Sequence, residues 1–174
     1  PVASSGSFNS ATGTAFTAGN SPAKFYDTIT NTNTQGIDAD ALTDTTSTGT
    51  YTVSLNLLAN QDEYKYNVIT APGLIRDNGN HGGLLTTMVN NSQTRGDNLS
   101  VIDLVNYNSG ISTVTAEASG VDSSYAATYW PWLQTNDPNV GLIFVPASTM
   151  IPGVYAFNDS AGEPWFAPAG LNRG

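Results

Sequence analysis

The stretch NHGGLLTTMVNNSQTRGDNLSVIDLVN, residues 80–106, contains the clearest helix and the clearest buried strand of the chain. Asn80 stands where an N-terminal cap belongs, and Gly96 stands where a C-terminal cap belongs. Between them, one helix face is apolar: Leu84, Leu85, Met88 and Val89. Residues 100–106 then carry apolar side chains on both faces, which is typical of a buried strand.

Weaker signals on both sides of this unit predict further strands and one short helix. Residues 51–57 alternate between apolar and polar side chains, residues 66–70 form a short apolar run before a turn at 71–73, and residues 111–117 alternate more weakly. Residues 141–146 predict a strand after a turn at 136–139, and Ser148 is expected to cap a helix running to about Ala156. Together these elements predict an α+β fold: a β-rich layered sandwich with a mixed sheet, flanked by a few short helices.

Residues 125–133 read Tyr-Ala-Ala-Thr-Tyr-Trp-Pro-Trp-Leu and are the most aromatic part of this pattern. In an extended chain, large side chains would occupy both faces, so we expect a strand in the core or at an interface. Pro131 has no N–H to donate and must lie at a strand end, an edge or a bulge.

Two regions differ in composition. Residues 1–50 are rich in Thr, Ser and Asn and poor in large apolar side chains, so they predict either β-hairpins and loops laid over a core or a partly mobile segment. Residues 51–174 are expected to form the core α+β domain. The first residue, Pro1, and the last, Gly174, are interpreted as cuts in a longer chain.

Composition excludes several classes of protein. The chain has 174 residues and no cysteine, which excludes disulfide scaffolds, thiolate metal sites and cysteine nucleophiles. Five basic residues against fourteen acidic ones give a net charge of −9, which disfavours binding to nucleic acid and to anionic membranes. The apolar runs are short, the longest being residues 142–145, far below the length that spans a bilayer.

The titratable residues favour no enzyme class. His81 precedes two glycines, as in the oxyanion loops of some esterases, but the chain has neither a second histidine nor a Gly-x-Ser-x-Gly elbow. Asp38, Asp40 and Asp44 suggest a weak calcium loop or a carboxylate pair, and Asp62 with Glu63 a second acidic site, yet a solvated acidic turn explains both groups better. The sequence therefore predicts no enzyme activity, no catalytic, cofactor-binding or metal-ligating residue, and no cofactor.

The last third of the chain carries four ordered motifs that resemble the tail sheath proteins of contractile-tailed bacteriophages, most closely those of T-even-like phages. They are residues 125–132 (YAATYWPW), 145–148 (VPAS), 151–156 (IPGVYA) and 163–174 (EPWFAPAGLNRG). The residues that carry the resemblance, as family-motif and packing positions, are Tyr125, Tyr129, Trp130, Pro131, Trp132, Pro146, Gly153, Tyr155, Pro164, Trp165 and Pro168.

The resemblance implies a structural subunit that polymerises as stacked hexameric rings in a helix around a tail tube. It implies contraction that drives the tube through the host envelope, partners in the tube, baseplate and neck, assembly in the host cytoplasm and a place in the virion tail. It also implies that this chain is a middle fragment, monomeric by itself, with Trp130 and Trp132 buried. The first third of the chain, rich in Thr and Asn, leaves a second interpretation open, an exposed carbohydrate-binding or adhesin module. That interpretation predicts a tryptophan platform open to solvent.

Overall fold

A computed structural model describes residues 49–79, 81–163 and 165–173. In chain order the elements are helix α1 (Thr50–Leu58), strand β1 (Val68–Ile75), helix α2 (His81–Arg95), strand β2 (Leu99–Asp103), helix α3 (Ile111–Ser119), strands β3 (Ala126–Thr128), β4 (Leu133–Asp137) and β5 (Gly141–Val145), a 3-10 turn (Ala147–Thr149) and helix α4 (Ile151–Ala161). Ser54–Gly174 form one compact unit, and the fold class is α+β, as predicted.

The centre of the unit is a parallel three-stranded sheet in the order β1-β2-β3. The chain passes from β1 to β2 through α2 and from β2 to β3 through α3, since parallel neighbours need a crossover connection. Strands β4 and β5 pair antiparallel in a separate two-stranded sheet, with Leu133 opposite Val145 and Asp137 opposite Gly141. Parallel and antiparallel pairing therefore occur in two sheets.

The predicted helix and buried strand of residues 80–106 are confirmed. The apolar face of α2 is buried and packs against β1 and β2, where Val101 and Ile102 are also buried. Gly96 has a φ of +74° just past the end of α2, and its N–H donates to the Ser92 carbonyl at 2.8 Å, which is how a glycine terminates a helix. Asn80, the predicted cap, lies outside the described residues.

Arg95, at the end of α2, holds the chain that precedes β1. Its guanidinium donates to the carbonyls of Leu58 at 2.9 Å and Tyr64 at 2.8 Å. It also forms a bidentate ion pair with Asp97 and lies 4.4 Å from the centre of the Tyr66 ring. Because the side chain is buried, its several donors need such partners, and the partners fix the course of residues 58–66.

Two predicted strands are wrong. Residues 51–57 belong to α1, in which Leu55 is buried whereas Val53 and Leu57 are about half exposed. Leu55 and Leu58 lie three residues apart on the less exposed side of α1, which is the spacing of one helix face. The short apolar–polar alternation of residues 51–57 was therefore compatible with a helix as well as with a strand. Residues 111–117 belong to α3, which begins after Gly110 and ends at Gly120, whose N–H donates to the Glu117 carbonyl at 3.2 Å.

The expected strand over residues 125–133 is interrupted. Only Ala126–Thr128 pair with β2, and the chain leaves the sheet before Pro131, whose bond to Trp130 is cis. β4 begins at Leu133, so the partner of the strand at 141–145 is β4 rather than the aromatic stretch. Pro131 does lie between two strands, where its missing N–H removes no ladder bond.

The run before the predicted turn at 71–73 also extends further than expected. β1 continues to Ile75, and its register with β2 shifts between Thr70 and Ile75. Gly73, at a φ of +95°, lies in this irregular part. A turn signal inside a strand is here a bulge, which glycine accommodates because it lacks a Cβ.

Residues 1–50 were predicted to form hairpins and loops or a partly mobile segment. All of them except the last two lie outside the described residues. Within the described ranges, the structure contains no helix that is both long and apolar enough to cross a membrane.

Candidate functional site

Two of the motif segments of the last third meet at the end of β2. Ser148 of the second motif binds the side chain of Asp103, the last residue of β2. Trp132 of the first motif donates its indole N–H to the Val105 carbonyl at 3.0 Å. Because Asp103 and Val105 both lie where β2 ends, one strand end positions two motifs that are separate in sequence.

Asp103 and Ser148 form a buried pair. The Ser148 backbone N–H donates to Oδ1 of Asp103 at 3.1 Å, and the Ser148 hydroxyl donates to Oδ2. The two residues are 3% and 1% exposed, so the carboxylate has little water to solvate it. Burial raises the pKa of Asp103, and the two Ser148 hydrogen bonds oppose this by favouring the charged form. The pair fixes the 3-10 turn against the sheet.

Ser148 was expected to cap the following helix, and this is wrong. α4 begins at Ile151 after Met150, with no side-chain hydrogen bond at its cap, because the Ser148 hydroxyl is already bound to Asp103. Pro152 lies in the first turn of α4, where the missing N–H costs least. α4 also runs past the predicted end at Ala156, to Ala161.

Two tyrosines join the first and third motifs. The hydroxyls of Tyr129 and Tyr155 lie 2.6 Å apart and their rings meet edge to face with centroids 6.4 Å apart. Burial raises the pKa of Tyr155 well above its ordinary value, and the hydrogen bond and the charge interaction with Tyr129 raise it further. The Tyr155 phenol therefore stays neutral at physiological pH, and the pair links the two motifs structurally.

Aromatic side chains beyond the ends of β2 and β3 line an open cleft. The ring of Tyr107 lies 5.9 Å from that of Trp132 and 4.7 Å from that of Phe144. Trp130 is 43% exposed, and Tyr107 and Phe144 are also about half exposed. We call this surface the aromatic cleft; it has a volume of about 210 Å³ and is lined by Tyr107, Asn108, Ser109, Trp130, Pro131, Trp132 and Phe144.

Residues 165–173, which we call the aromatic segment, follow α4 without forming a helix or strand. The buried Asn158 side chain donates to the Phe166 carbonyl at 2.8 Å, and the Arg173 guanidinium lies 4.5 Å from the centre of the Phe166 ring. Trp165 is 75% exposed, and Leu171 is fully exposed. The segment is thus attached to its own helix through Phe166 while its other large apolar side chains face solvent.

The remaining predicted motif residues are dispersed. Tyr125 is half-buried just before β3. Pro146 precedes the 3-10 turn, Gly153 lies on the exposed side of α4, and Pro168 is exposed in the aromatic segment. Pro164 lies outside the described residues.

Sequence reasoning missed Asp103, Tyr107 and Phe144, which the fold brings to the motif residues. The available signal for Asp103 was a single acid within the apolar run of residues 101–105. Such an acid requires a partner when the strand is buried. Tyr107 and Phe144 carried no comparable signal, because the aromatic cleft joins segments far apart in sequence.

Of the titratable residues singled out in the sequence, those that the structure describes serve structural roles or face solvent. His81 begins α2 and its Nδ1 accepts the Ile75 backbone N–H at 3.2 Å, while burial lowers its pKa. Asp62 and Glu63 are exposed. Asp38, Asp40 and Asp44 lie outside the described residues. Across residues 49–79, 81–163 and 165–173, no group of three or more His, Asp or Glu side chains is arranged to hold a metal ion.

A second, smaller cavity lies between α2 and the loop after α3. Its volume is about 130 Å³, and its lining combines apolar side chains of α2 with polar groups at the rim, among them Arg76 and Asp122. Arg76 is already paired with Glu117 and donates to the Gly120 carbonyl at 3.3 Å. The guanidinium therefore anchors α3 to the end of β1.

Comparison of the chain with protein-family models, with curated proteins and with solved structures finds no match.

Proposed function

We propose that this chain is part of a structural subunit of a bacteriophage contractile tail sheath. In this proposal the subunit polymerises as stacked hexameric rings in a helix around the tail tube and contracts to drive the tube through the host envelope. The observation that carries the proposal is the order of four sheath-like motifs in residues 125–174. Contacts at Asp103, Val105 and Tyr155 that tie three of these motifs together add support.

The packing suits a part that moves as a rigid body. The Asp103–Ser148 pair, the Trp132 hydrogen bond and the Arg95 contacts join segments distant in sequence through buried or half-buried groups. Subunit rotation during contraction exchanges contacts between such bodies and leaves their interiors intact. The proposed role is mechanical and requires no active site and no cofactor.

The exposed aromatic residues suit a protein whose contacts are made on assembly. Trp130 and Trp165 are 43% and 75% exposed. Large exposed apolar side chains that cluster on a surface mark interaction sites. In the proposed role these surfaces meet neighbouring subunits, the tube, the baseplate or the neck, and a fragment without the rest of the sheath is monomeric.

The same exposure favours a second candidate function, a carbohydrate-binding or adhesin module. Trp130 was expected to be buried in a sheath subunit, and this expectation is wrong. The chain leaves the sheet before Trp130, so the Trp130 side chain lines the open aromatic cleft. Trp132 is half-buried. An open tryptophan surface is what the adhesin interpretation predicts, and saturable binding on a glycan array is its direct test.

The experiment for the first proposal is immuno-electron microscopy of contractile-tailed particles from the source of the chain. An antibody raised against the chain is expected to decorate extended or contracted tails at regular intervals. As a control, antibody pre-absorbed with the chain must lose this decoration. Labelling confined to fibre tips or heads would reject the sheath role and support the adhesin one. Extended and contracted sheaths dissociated in denaturant and probed on a blot provide a second readout, in which absence of the antigen rejects the proposal.

A further inference from the structure

The N-terminus of α2 lies against the end of β1. His81, the first residue of α2, accepts the Ile75 backbone N–H on its ring atom Nδ1 at 3.2 Å, and the His81 backbone N–H donates to the Asn78 carbonyl at 2.8 Å. At Gly82 the two elements are so close that an added Cβ would lie 2.9 Å from the Arg76 carbonyl oxygen. This close packing places the His81 ring beside the strand end.

The Ile75 N–H depends on the His81 side chain. The register of β1 with β2 shifts between Thr70 and Ile75, and at this end of the strand the acceptor of the Ile75 N–H is the His81 ring. Ile75 is 3% exposed, so water has little access to replace the ring as acceptor. A buried N–H that loses its acceptor costs more than the net value of an ordinary hydrogen bond.

Only the neutral His81 ring can accept this hydrogen bond. With Nδ1 as the acceptor the ring proton is on Nε2, whereas a protonated ring has donors on both nitrogens and would direct one of them at the Ile75 N–H. Burial lowers the pKa of His81 from its ordinary value of 6.5, and the N-terminus of a helix also disfavours a positive charge. Acid therefore removes the form of the ring that the folded chain needs.

Charged residues on the surrounding elements do not reverse this preference. Along residues 68–79, 81–95, 99–103 and 111–119 they are Arg76, Asp77, Arg95, Asp103 and Glu117. Arg76 is paired with Glu117, and Arg95 lies at the opposite end of α2. Asp103 is held in its buried pair, and Asp77 is exposed. Burial remains the cause of the lowered pKa of His81.

The strand end at Ile75 also connects two other elements. The next residue, Arg76, donates its backbone N–H to the Asp103 carbonyl of β2 at 3.0 Å. The Arg76 guanidinium binds both the side chain and the backbone carbonyl of Glu117 in α3. A change at Ile75 therefore acts on the contacts with β2 and α3 through the adjacent residue.

We infer that His81 is a pH-sensitive switch for the end of β1. Its neutral ring holds the Ile75 N–H, and protonation of the ring releases that N–H and loosens the strand end from which Arg76 anchors α3. The contribution of His81 to stability is present above its unfolded pKa of 6.5 and is lost as the pH falls through the lowered folded value. The inference goes beyond the proposed function and does not depend on it.

The test is hydrogen exchange of the Ile75 amide in the isotope-labelled 174-residue chain, measured by NMR spectroscopy as a protection factor on both sides of the His81 pKa. Titration of the His81 ring C–H signals gives that pKa, which we expect to lie below 6.5. We expect the Ile75 protection factor to fall at least about tenfold on the acid side, because a buried N–H loses its acceptor. The amide of buried Val101, in the middle of β2, is the internal reference and is expected to keep its protection.

Two variants of the chain make the test specific. His81→Asn keeps an acceptor oxygen, Oδ1, near the position of Nδ1 but does not titrate, so its Ile75 protection factor is expected to be the same on both sides of the wild-type pKa. His81→Ala removes the acceptor and should have a low Ile75 protection factor on both sides. Both variants retain Asp103, so any effect of its titration is common to all three chains.

Four results would each overturn the inference. They are an Ile75 protection factor that does not change with pH in the wild type, an equal fall in His81→Asn, an equal fall at Val101, and a ring proton on Nδ1 at neutral pH. The wild-type pH series needs no variant and keeps the test decisive if a variant fails to fold. Tail decoration by the antibody does not involve His81, so the two proposals can fail separately.

Discussion

At the scale of single residues, Asp103 is the clearest case of a group whose role depends on its surroundings. A carboxyl that is 3% exposed and bound by Ser148 alone among the described side chains has no cation to offset its desolvation. The pKa of Asp103 is therefore raised, and the folded state holds the proton more tightly than the unfolded state.

The sign of the pH dependence follows from this shift. The contribution of Asp103 to stability is fully present below its unfolded pKa of 3.8 and is lost as the pH rises through the raised folded value. Asp97 has a lowered pKa, chiefly from its hydrogen bond with Arg95, and acts in the opposite direction. The difference between the wild type and Asp103→Asn isolates Asp103. We expect the urea midpoint of the wild type to fall relative to the variant above pH 3.8.

The partner of Asp103 provides the companion variant. Ser148→Ala removes the hydroxyl donor but keeps the backbone N–H donor, so at neutral pH we expect a loss of about 1.5–3 kcal/mol in the free energy of unfolding. Exposed Ser160→Ala, in α4, is the matched control and should change stability by no more than about 0.5 kcal/mol. Equal effects of the two substitutions would contradict the role assigned to the buried pair.

At the scale of elements, two glycines predict opposite results for one substitution. Gly96 ends α2 at a φ of +74°, so Gly96→Ala should destabilise the protein by about 1 kcal/mol. Gly153 lies inside α4 with no atom within 4 Å of an added Cβ, so Gly153→Ala should stabilise it by about 0.4–1 kcal/mol. Urea unfolding of both variants checks these two predictions. Destabilisation by Gly153→Ala would contradict the open space around the added Cβ.

The β4–β5 hairpin shows how a turn fixes an element that has little cover. The Asp137 carboxylate accepts the backbone N–H groups of Asn139 at 2.7 Å and Val140 at 3.1 Å, and Gly141 follows at a φ of +86°. Beyond the turn, Leu142 is 68% exposed and shares one face of the hairpin with Phe144. The hairpin therefore depends on its turn for register and carries one wall of the aromatic cleft.

At the scale of the whole molecule, the three tryptophans report how much aromatic surface is open. Their exposure ranges from half-buried Trp132 through Trp130 to Trp165, the most exposed. We expect acrylamide to quench the fluorescence of the chain substantially, and Trp165→Phe to lower the quenching constant more than Trp132→Phe does. Resistance of the wild-type fluorescence to acrylamide would show that Trp130 and Trp165 are covered in solution.

The sequence by itself determined the elements whose signals are local. The apolar face of α2, Gly96 at its end and the continuous apolar run of β2 specify a helix and a buried strand, because the residues that contact each other lie within a few positions. The α+β class and the position of Pro131 between strands follow from the same local rules. The apolar–polar alternation of residues 51–57 and 111–117 predicted strands wrongly, since these residues belong to α1 and α3. A stretch of five to seven residues is too short to distinguish a period of two from a helical period.

Only the tertiary structure decided what surrounds the motif residues. Ser148 is a plausible helix cap until the end of β2 brings Asp103 to its hydroxyl, and Trp130 is a core residue in an extended strand until the chain leaves the sheet. The aromatic cleft joins residues from 107 to 144, and the Asp103–Ser148 pair spans 45 positions. Contacts over such separations depend on strand order and on where each strand ends, which no local pattern encodes.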